Sequence, residues 1–211
     1  MAVICLEGAS AVGKTTTSAA LAQDFGWAVV PEVNQLFERP ANEPPEWYFE
    51  RQADRWAMAI EYLKGNRTVV LDGDPFQPLW YNWVYDYVGW QDLSFMENLY
   101  GKKLAAREIG FPHLYVILSV SERHLRDRRS GDASRKRRGF ETHLKFIEPQ
   151  RRYFEAMEKF SPNRVVFLHA EKFPKTTAAI AAIDLLSVER NTAYSVDLCL
   201  SMVRWLRENR P

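Results

Sequence analysis

The chain has 211 residues, 46% of them hydrophobic and 26% charged, with a formal net charge of +1. That length suits a single domain with a full core, and the near-neutral charge argues against a protein coated in positive charge for nucleic acid. Two cysteines, Cys5 and Cys199, stand in no metal-binding spacing, which points to buried thiols in a reducing, cytoplasmic compartment. The N-terminal MAVICLEG lacks a basic stretch and its apolar run stops at Glu7. No secretory signal is therefore expected, and no apolar run reaches the length of a membrane span.

Ala2 to Leu6 reads as a buried strand followed by a glycine-containing turn, and Thr15 to Phe25 as a helix closed by Gly26. Trp27 to Val30 is a second short strand, and Arg39 to Pro45 a proline-containing loop. A long helical pattern opens at Pro45 and runs through Leu63, where Gly65-Asn66 stops it. Thr68 to Leu71 is a third strand, ending in Asp72-Gly73-Asp74-Pro75, and an aromatic-rich, mostly helical region follows to about Ile109. Leu114 to Val120 is a fourth strand, after which Ser121 caps a helix that enters a basic segment. Glu141 to Phe160 reads as a helix that Pro149 should kink or split. Val165 to Leu168 is a fifth strand, and two helical stretches, about 175–189 and 196–209, complete the chain. Strands separated by helices of this length predict an α/β fold: a five-stranded parallel sheet with helices on both faces.

The most specific motif is GASAVGKT, Gly8 to Thr15, which fits GxxxxGK[ST] and lies between a predicted strand and a predicted helix. In such a loop Gly8, Ala11 and Gly13 shape the backbone, and the N–H groups of Gly13 to Thr16 point at an anion from a helix N-terminus. Lys14 reaches the outer phosphates of a nucleotide and the Thr15 hydroxyl ligates Mg²⁺. The pattern therefore predicts a P-loop NTPase fold that takes ATP and Mg²⁺. Asp72, at the end of a buried strand, is a candidate for the metal. Asp74 competes for that role, and both residues also suit a turn.

These features, in their order, resemble the P-loop nucleoside and nucleotide kinase group, especially the deoxynucleoside kinase and thymidylate kinase families. The resemblance spans most of Val3 to Leu168. It rests on the phosphate loop, on VVPEV at the second strand, on the helix PEWYFERQADRWA, and on YVILSVSERHLRDRR before an arginine-rich stretch. It implies that Glu32 of VVPEV is the carboxylate near the acceptor hydroxyl, where a base helps remove a proton. It implies that Gln52 reads an acceptor base, an amide being able to donate and accept together, with Trp47 and Trp56 as walls of that pocket. A solvated glutamine beside core tryptophans is the competing reading. One departure is plain. The related kinases carry Glu-Arg-Ser or Asp-Arg at the end of the third strand, and this chain has Asp72-Gly73-Asp74.

The basic segment RDRRSGDASRKRRGF, about 126–140, falls where the resembled kinases keep a mobile lid. That implies phosphate clamping by Arg128 and Arg129 on one half and by Arg135, Arg137 and Arg138 on the other, about a flexible break. A solvated basic loop is the alternative. The expected function is an ATP-dependent transfer of phosphate to a nucleoside or nucleotide. An O-phosphotransferase for an antibiotic or metabolite, a non-catalytic ATP-binding module, and nucleic-acid binding through the basic segment are the competing readings. The expected partners are a small-molecule acceptor, no nucleic acid polymer and no membrane, with a homodimer through aromatic helices by analogy to related kinases.

Overall fold

Strand β1 (Ala2–Gly8) is buried along its whole length, as an apolar run at the centre of a parallel sheet should be. The computed structural model describes residues 1–86, 91–131, 140–170, 172–188 and 191–211. Four further strands, β2 (Ala28–Val30), β3 (Thr68–Asp72), β4 (Leu114–Ser119) and β5 (Val165–His169), join β1 in the order β2-β3-β1-β4-β5. Every pairing is parallel. The register sets Leu6 beside Asp72 and Gly8 beside Leu118. The C-terminal ends of the three inner strands therefore come out at one edge, where ligands of open α/β sheets bind.

The two-residue alternation of the strands divides the core into two layers. Val3, Cys5, Val69, Leu71, Tyr115 and Ile117 face one side. There they meet α3 (Trp47–Leu63), α4 (Gln77–Val84), α5 (Leu93–Ala105), α8 (Ile147–Phe160) and α11 (Val196–Glu208). Ile4, Leu6, Val70, Leu114, Val116 and Leu118 face the other. That side packs on α1 (Lys14–Phe25), α6 (Glu122–Gly131), α7 (Phe140–Leu144) and α9 (Phe173–Ala181), and reaches Val188 of α10 (Leu185–Val188). The predicted sheet with helices on both faces is thus present. Both cysteines are free and buried, and no described helix is long and apolar enough to cross a membrane.

One local detail differs from the sequence reading: a short helix, α2 (Val33–Leu36), follows β2 where no element was expected. Pro149 splits the 141–160 helix, as the sequence reading allows. The break falls at Lys145-Phe146, and Pro149 is the third residue of α8, within the first turn, whose N–H groups need no helical partner. The concentration of aromatic residues before residue 100 is mostly core. Trp56, Trp80, Trp83 and Tyr100 are buried, and Phe76 stacks on Phe111 with centroids 4.0 Å apart.

Helix α3 also packs, through Trp56, against the loop that leads into β4. A methyl group on Gly110 would lie 2.4 Å from Cζ2 of Trp56, a fully buried side chain. Gly110→Ala is expected to lower stability by about 1–3 kcal/mol through overpacking. Urea unfolding monitored by tryptophan fluorescence would show the drop as a shifted midpoint with unchanged slope.

Candidate active site

The C-terminal edge of the sheet opens into a cleft of about 1410 Å³. The loop between β1 and α1 forms its floor. Gly8 has φ +140°, and a Cβ there would lie 2.4 Å from the Leu118 carbonyl oxygen, so only glycine lets the chain leave β1 against β4. Ala11 also sits in the left-handed region at φ +68°. Gly13 caps α1, and no side chain supplies a capping bond. The first-turn N–H groups of Lys14, Thr15 and Thr16 are therefore left for an anion. Gly8, Ala11, Gly13, Lys14, Thr15 and Thr16 all line the cleft.

Lys14 Nζ donates to the Gly8 carbonyl at 3.0 Å and lies 3.9 Å from Glu7 and 4.0 Å from Glu32. Burial by itself would lower the Lys14 pKa, but the carboxylates of Glu7, Glu32 and Asp72 outweigh it and hold the value above the ordinary one. The ammonium is therefore charged when a phosphate arrives. Thr15 Oγ1 donates to Asp72 Oδ2 at 2.7 Å, and Asp72 Oδ1 is buried with no partner among the described residues. Burial and the Glu32 charge push the Asp72 pKa up, against Lys14, the Thr15 bond and Arg55. A hydroxyl beside a carboxylate with an unsatisfied oxygen is the hard donor set that Mg²⁺ takes, with phosphate oxygens and water completing its shell. The described residues hold no cluster of three or more His, Cys, Asp or Glu that could bind a metal alone, so an ion at this pair would be held jointly with a nucleotide.

Asp74, the competing candidate, turns away from that role. It is buried, with Oδ1 accepting from Phe76 N at 2.9 Å and Tyr115 Oη at 3.1 Å, and it does not line the cleft. Glu7, unremarked in the sequence, lies between. Its carboxylate accepts from Gly8 N at 2.8 Å, Asp74 N at 3.0 Å and Gln150 Nε2 at 3.2 Å, tying the loop to β3 and α8.

Glu32 is the N-cap residue of α2, directly after β2, and lines the cleft across from Gly73. Gly73 has φ +94°, a conformation in which an arginine side chain would be strained. The cation that the kinase resemblance implies at this strand end comes from elsewhere. Arg55 of α3, 1% exposed, donates to the carbonyls of Pro31 at 2.7 Å, Asp72 at 2.7 Å and Gly73 at 3.1 Å, and to Gln52 Oε1 at 2.5 Å. Burial lowers its pKa. Gln52 lines the cleft. Trp47 does not: as the first residue of α3 it lies beside Tyr48 and under the Arg51 guanidinium. Trp56 is in the core, edge-on to Tyr194. The aromatic wall is instead Tyr48, whose hydroxyl donates to Gln77 Oε1 at 2.9 Å, with Tyr81 and Tyr85. Burial pushes the Tyr48 hydroxyl up to about 12. Tyr81 Oη is 2.7 Å from His143 Nε2, and burial and the Lys14 charge lower the His143 pKa.

Arg128 lines the cleft at its phosphate end. Its guanidinium donates to Val12 O at 2.5 Å and Ala170 O at 2.8 Å and lies over the Phe173 ring. Arg129 pairs instead with Glu141 at 3.3 Å and covers Phe140, and it does not line the cleft. Arg135, Arg137 and Arg138 lie outside the described residues.

The family model described as "AAA domain" matches residues 3–145. The chain belongs to the AAA domain family. No curated protein sequence matches it. Among solved structures, deoxyadenosine kinase from M. mycoides with bound dATP superposes with a TM-score of 0.57 at 16% identity, over 86% of this chain and 97% of that one. The same kinase with products dCMP and a flexible dCDP superposes at 0.55 and 17%, over 88% and 99%. At these identities the likeness is one of fold, and in architecture it bears out the resemblance of this AAA domain chain to the P-loop kinase group.

Two measurements probe the site directly. Asp72→Asn should reduce the Mg²⁺-dependent part of ATP affinity about ten- to hundredfold, read by calorimetry with and without Mg²⁺. The second concerns Asp74. Burial, with the Glu7 charge, raises its pKa to about 7. Between its ordinary range and pH 7 the folded chain keeps a proton that the unfolded chain has lost, so stability falls as pH rises and levels off above about 7. Asp74→Asn removes this dependence. The stability of the variant relative to the native chain should rise by up to about 4 kcal/mol from pH 4 to pH 8, measured by denaturant unfolding at each pH.

Proposed function

We propose that the protein is a Mg²⁺- and ATP-dependent phosphotransferase that moves the γ-phosphate of ATP to a hydroxyl of a small molecule, of nucleoside or nucleotide type. The observation that carries this reading is the meeting of Lys14 and Glu32, 4.0 Å apart and delivered by two different strand ends into one cleft. A phosphate-holding cation and a candidate base then serve the same point in space, as transfer to a hydroxyl requires and simple nucleotide binding does not. The cleft volume, about 1410 Å³, exceeds that of an ordinary single-ligand pocket and leaves room for donor and acceptor together.

In this mechanism the first-turn N–H groups of α1 and Lys14 hold the β- and γ-phosphates. Mg²⁺, when bound, would draw charge from the phosphate oxygens, and Thr15 and Asp72 are the residues that would hold it. Glu32 takes the proton of the acceptor hydroxyl as its oxygen bonds to the γ-phosphorus. The bond from that phosphorus to the β-phosphate oxygen breaks, and ADP leaves. Arg128 holds the loop that carries the N–H cradle. Arg135, Arg137 and Arg138 enter the proposal as cations for the transferring group, on the strength of the sequence resemblance.

A second reading keeps this chemistry and changes the acceptor to an antibiotic or metabolite. Gly73 in place of the strand-end arginine favours it, as does the bond from Arg55 to the Gln52 carbonyl, which takes one of the two lone pairs of that oxygen. A panel of nucleosides, nucleotides and hydroxylated antibiotics incubated with Mg²⁺ and labelled ATP separates the two readings by the product formed. Binding of ATP with no labelled product from any acceptor would leave a nucleotide-binding module instead. Glu32→Gln should lower kcat about a hundredfold or more at pH 7 with the KM for ATP little changed. An unaltered kcat would remove Glu32 from the reaction.

A further inference from the structure

His143 lines the cleft yet has no part in the transfer described above. It stands on α7, the short helix that follows the basic segment. Its Nε2 is 2.7 Å from the Tyr81 hydroxyl of α4, and its Nδ1 has no hydrogen-bond partner among the described residues. The ring rests against Tyr81 and Phe146, with centroids 6.1 and 5.5 Å away, and Tyr85 packs on both of those rings. Among the described residues the charge that reaches the imidazole is that of Lys14, around which Glu7, Glu32 and Asp72 are gathered. On its own helix Glu141 is taken up by Arg126 and Arg129, and Lys145, just beyond, is exposed.

This ring can take a proton without losing its partner. A tyrosine hydroxyl both donates and accepts, so it serves either tautomer of a neutral imidazole and accepts from Nε2–H of an imidazolium. Burial holds the Tyr81 hydroxyl above its ordinary range, and it stays protonated throughout. What opposes the proton on His143 is burial and then the Lys14 ammonium, which together hold the ring below the ordinary histidine value. A nucleotide changes the second of these, because its phosphates bring negative charge to Lys14 and offset the field of that ammonium at its neighbours. We infer that His143 takes up a proton from solvent as nucleotide phosphate binds at Lys14, and so becomes a further cation of the phosphate site. The ring gains one proton, Tyr81 keeps its own, and Nε2–H donates to Tyr81 Oη in the complex. This rests on the nucleotide-binding part of the reading above and is independent of the acceptor.

The test follows the histidine ring signals by NMR against pH, in the free chain and in the chain saturated with Mg²⁺ and the non-hydrolysable β,γ-imido analogue of ATP. The chain has four histidines, and the spectrum of His143→Gln identifies the signal in question. Its midpoint should rise by about one pH unit or more in the complex. Lys14→Met should raise it in the free chain, since the opposing charge is gone. Affinity follows the same proton. Relative to His143→Gln, the native chain should bind the analogue about tenfold more tightly below the midpoint of the free chain, and lose that gain as pH rises through the midpoint of the complex. Protonation of the analogue and of the carboxylates around Lys14 is common to both chains and cancels in the ratio. A midpoint that stays or falls on binding overturns the inference, as does a native-to-variant ratio that is flat with pH. An unchanged midpoint in Lys14→Met overturns the part assigned to Lys14. A chain that binds no nucleotide at any pH overturns the inference together with the phosphotransfer reading. Proton uptake with no transfer from ATP to any acceptor supports the inference and overturns that reading.

Discussion

A guanidinium taken almost wholly out of water must find acceptors inside the protein, because an unpaired buried charge costs several kcal/mol. Arg55 finds them at the ends of two strands. Its bonds to Pro31 O, Asp72 O and Gly73 O join the segment just after β2 to the end of β3, the two places that carry Glu32 and Asp72 into the cleft. Charge-assisted bonds of this kind contribute about 1.5–3 kcal/mol each. They set the spacing between the candidate base and the candidate metal ligand from a third element, α3, whose position depends on Trp56 packing into the core. Gly73, with no Cβ, adopts a left-handed conformation beside Glu32, and its carbonyl accepts from Arg55.

A similar economy of charge operates beneath the phosphate loop. Glu7 is 3% exposed, and its two oxygens are filled by the Gly8 and Asp74 backbone N–H groups and the Gln150 amide. It therefore acts as a fixed negative charge under Lys14 and as a brace between β1, β3 and α8. Asp74 is buried nearby, and burial with the Glu7 charge raises its pKa to about 7.

The parallel sheet was legible because its strands are short apolar runs bounded by turn residues, and the GASAVGKT loop because motif and context coincide. Lys14 and Thr15 at the start of α1, Asp72 at the end of β3 and Glu32 just after β2 come together at one edge of the sheet. Trp47 and Trp56 show where the sequence misleads. An aromatic residue on a helix gives no sign of which neighbour it will face, and Tyr48, one position on, takes the cleft. Arg55 carries a signal in the pattern of its helix. Phe49, Gln52, Ala53, Trp56 and Ala59 form the buried stripe of α3, and an arginine three residues after a buried glutamine must share its face. Polar residues on an apolar stripe need partners, and here the partners are backbone carbonyls, which carry no sequence label. The Glu7 brace depends on contacts 67 and 143 residues distant, beyond the reach of local pattern.

The position of Lys14 bears on how the two halves of the cleft cooperate. Its ammonium is held by the Gly8 carbonyl and lies between Glu7 and Glu32. Glu7 is anchored by three other donors and keeps its place when Lys14 moves. Among the described residues Glu32 shows no such anchor; its side chain is 37% exposed and lies 4.0 Å from Lys14. A γ-phosphate that draws Lys14 toward itself therefore weakens the hold on Glu32 while leaving Glu7 fixed, and frees the carboxylate to accept a hydroxyl proton. In the proposed reaction, donor binding would thus prepare the base, through one lysine that serves first as the partner of the carboxylate and then as the partner of the phosphate.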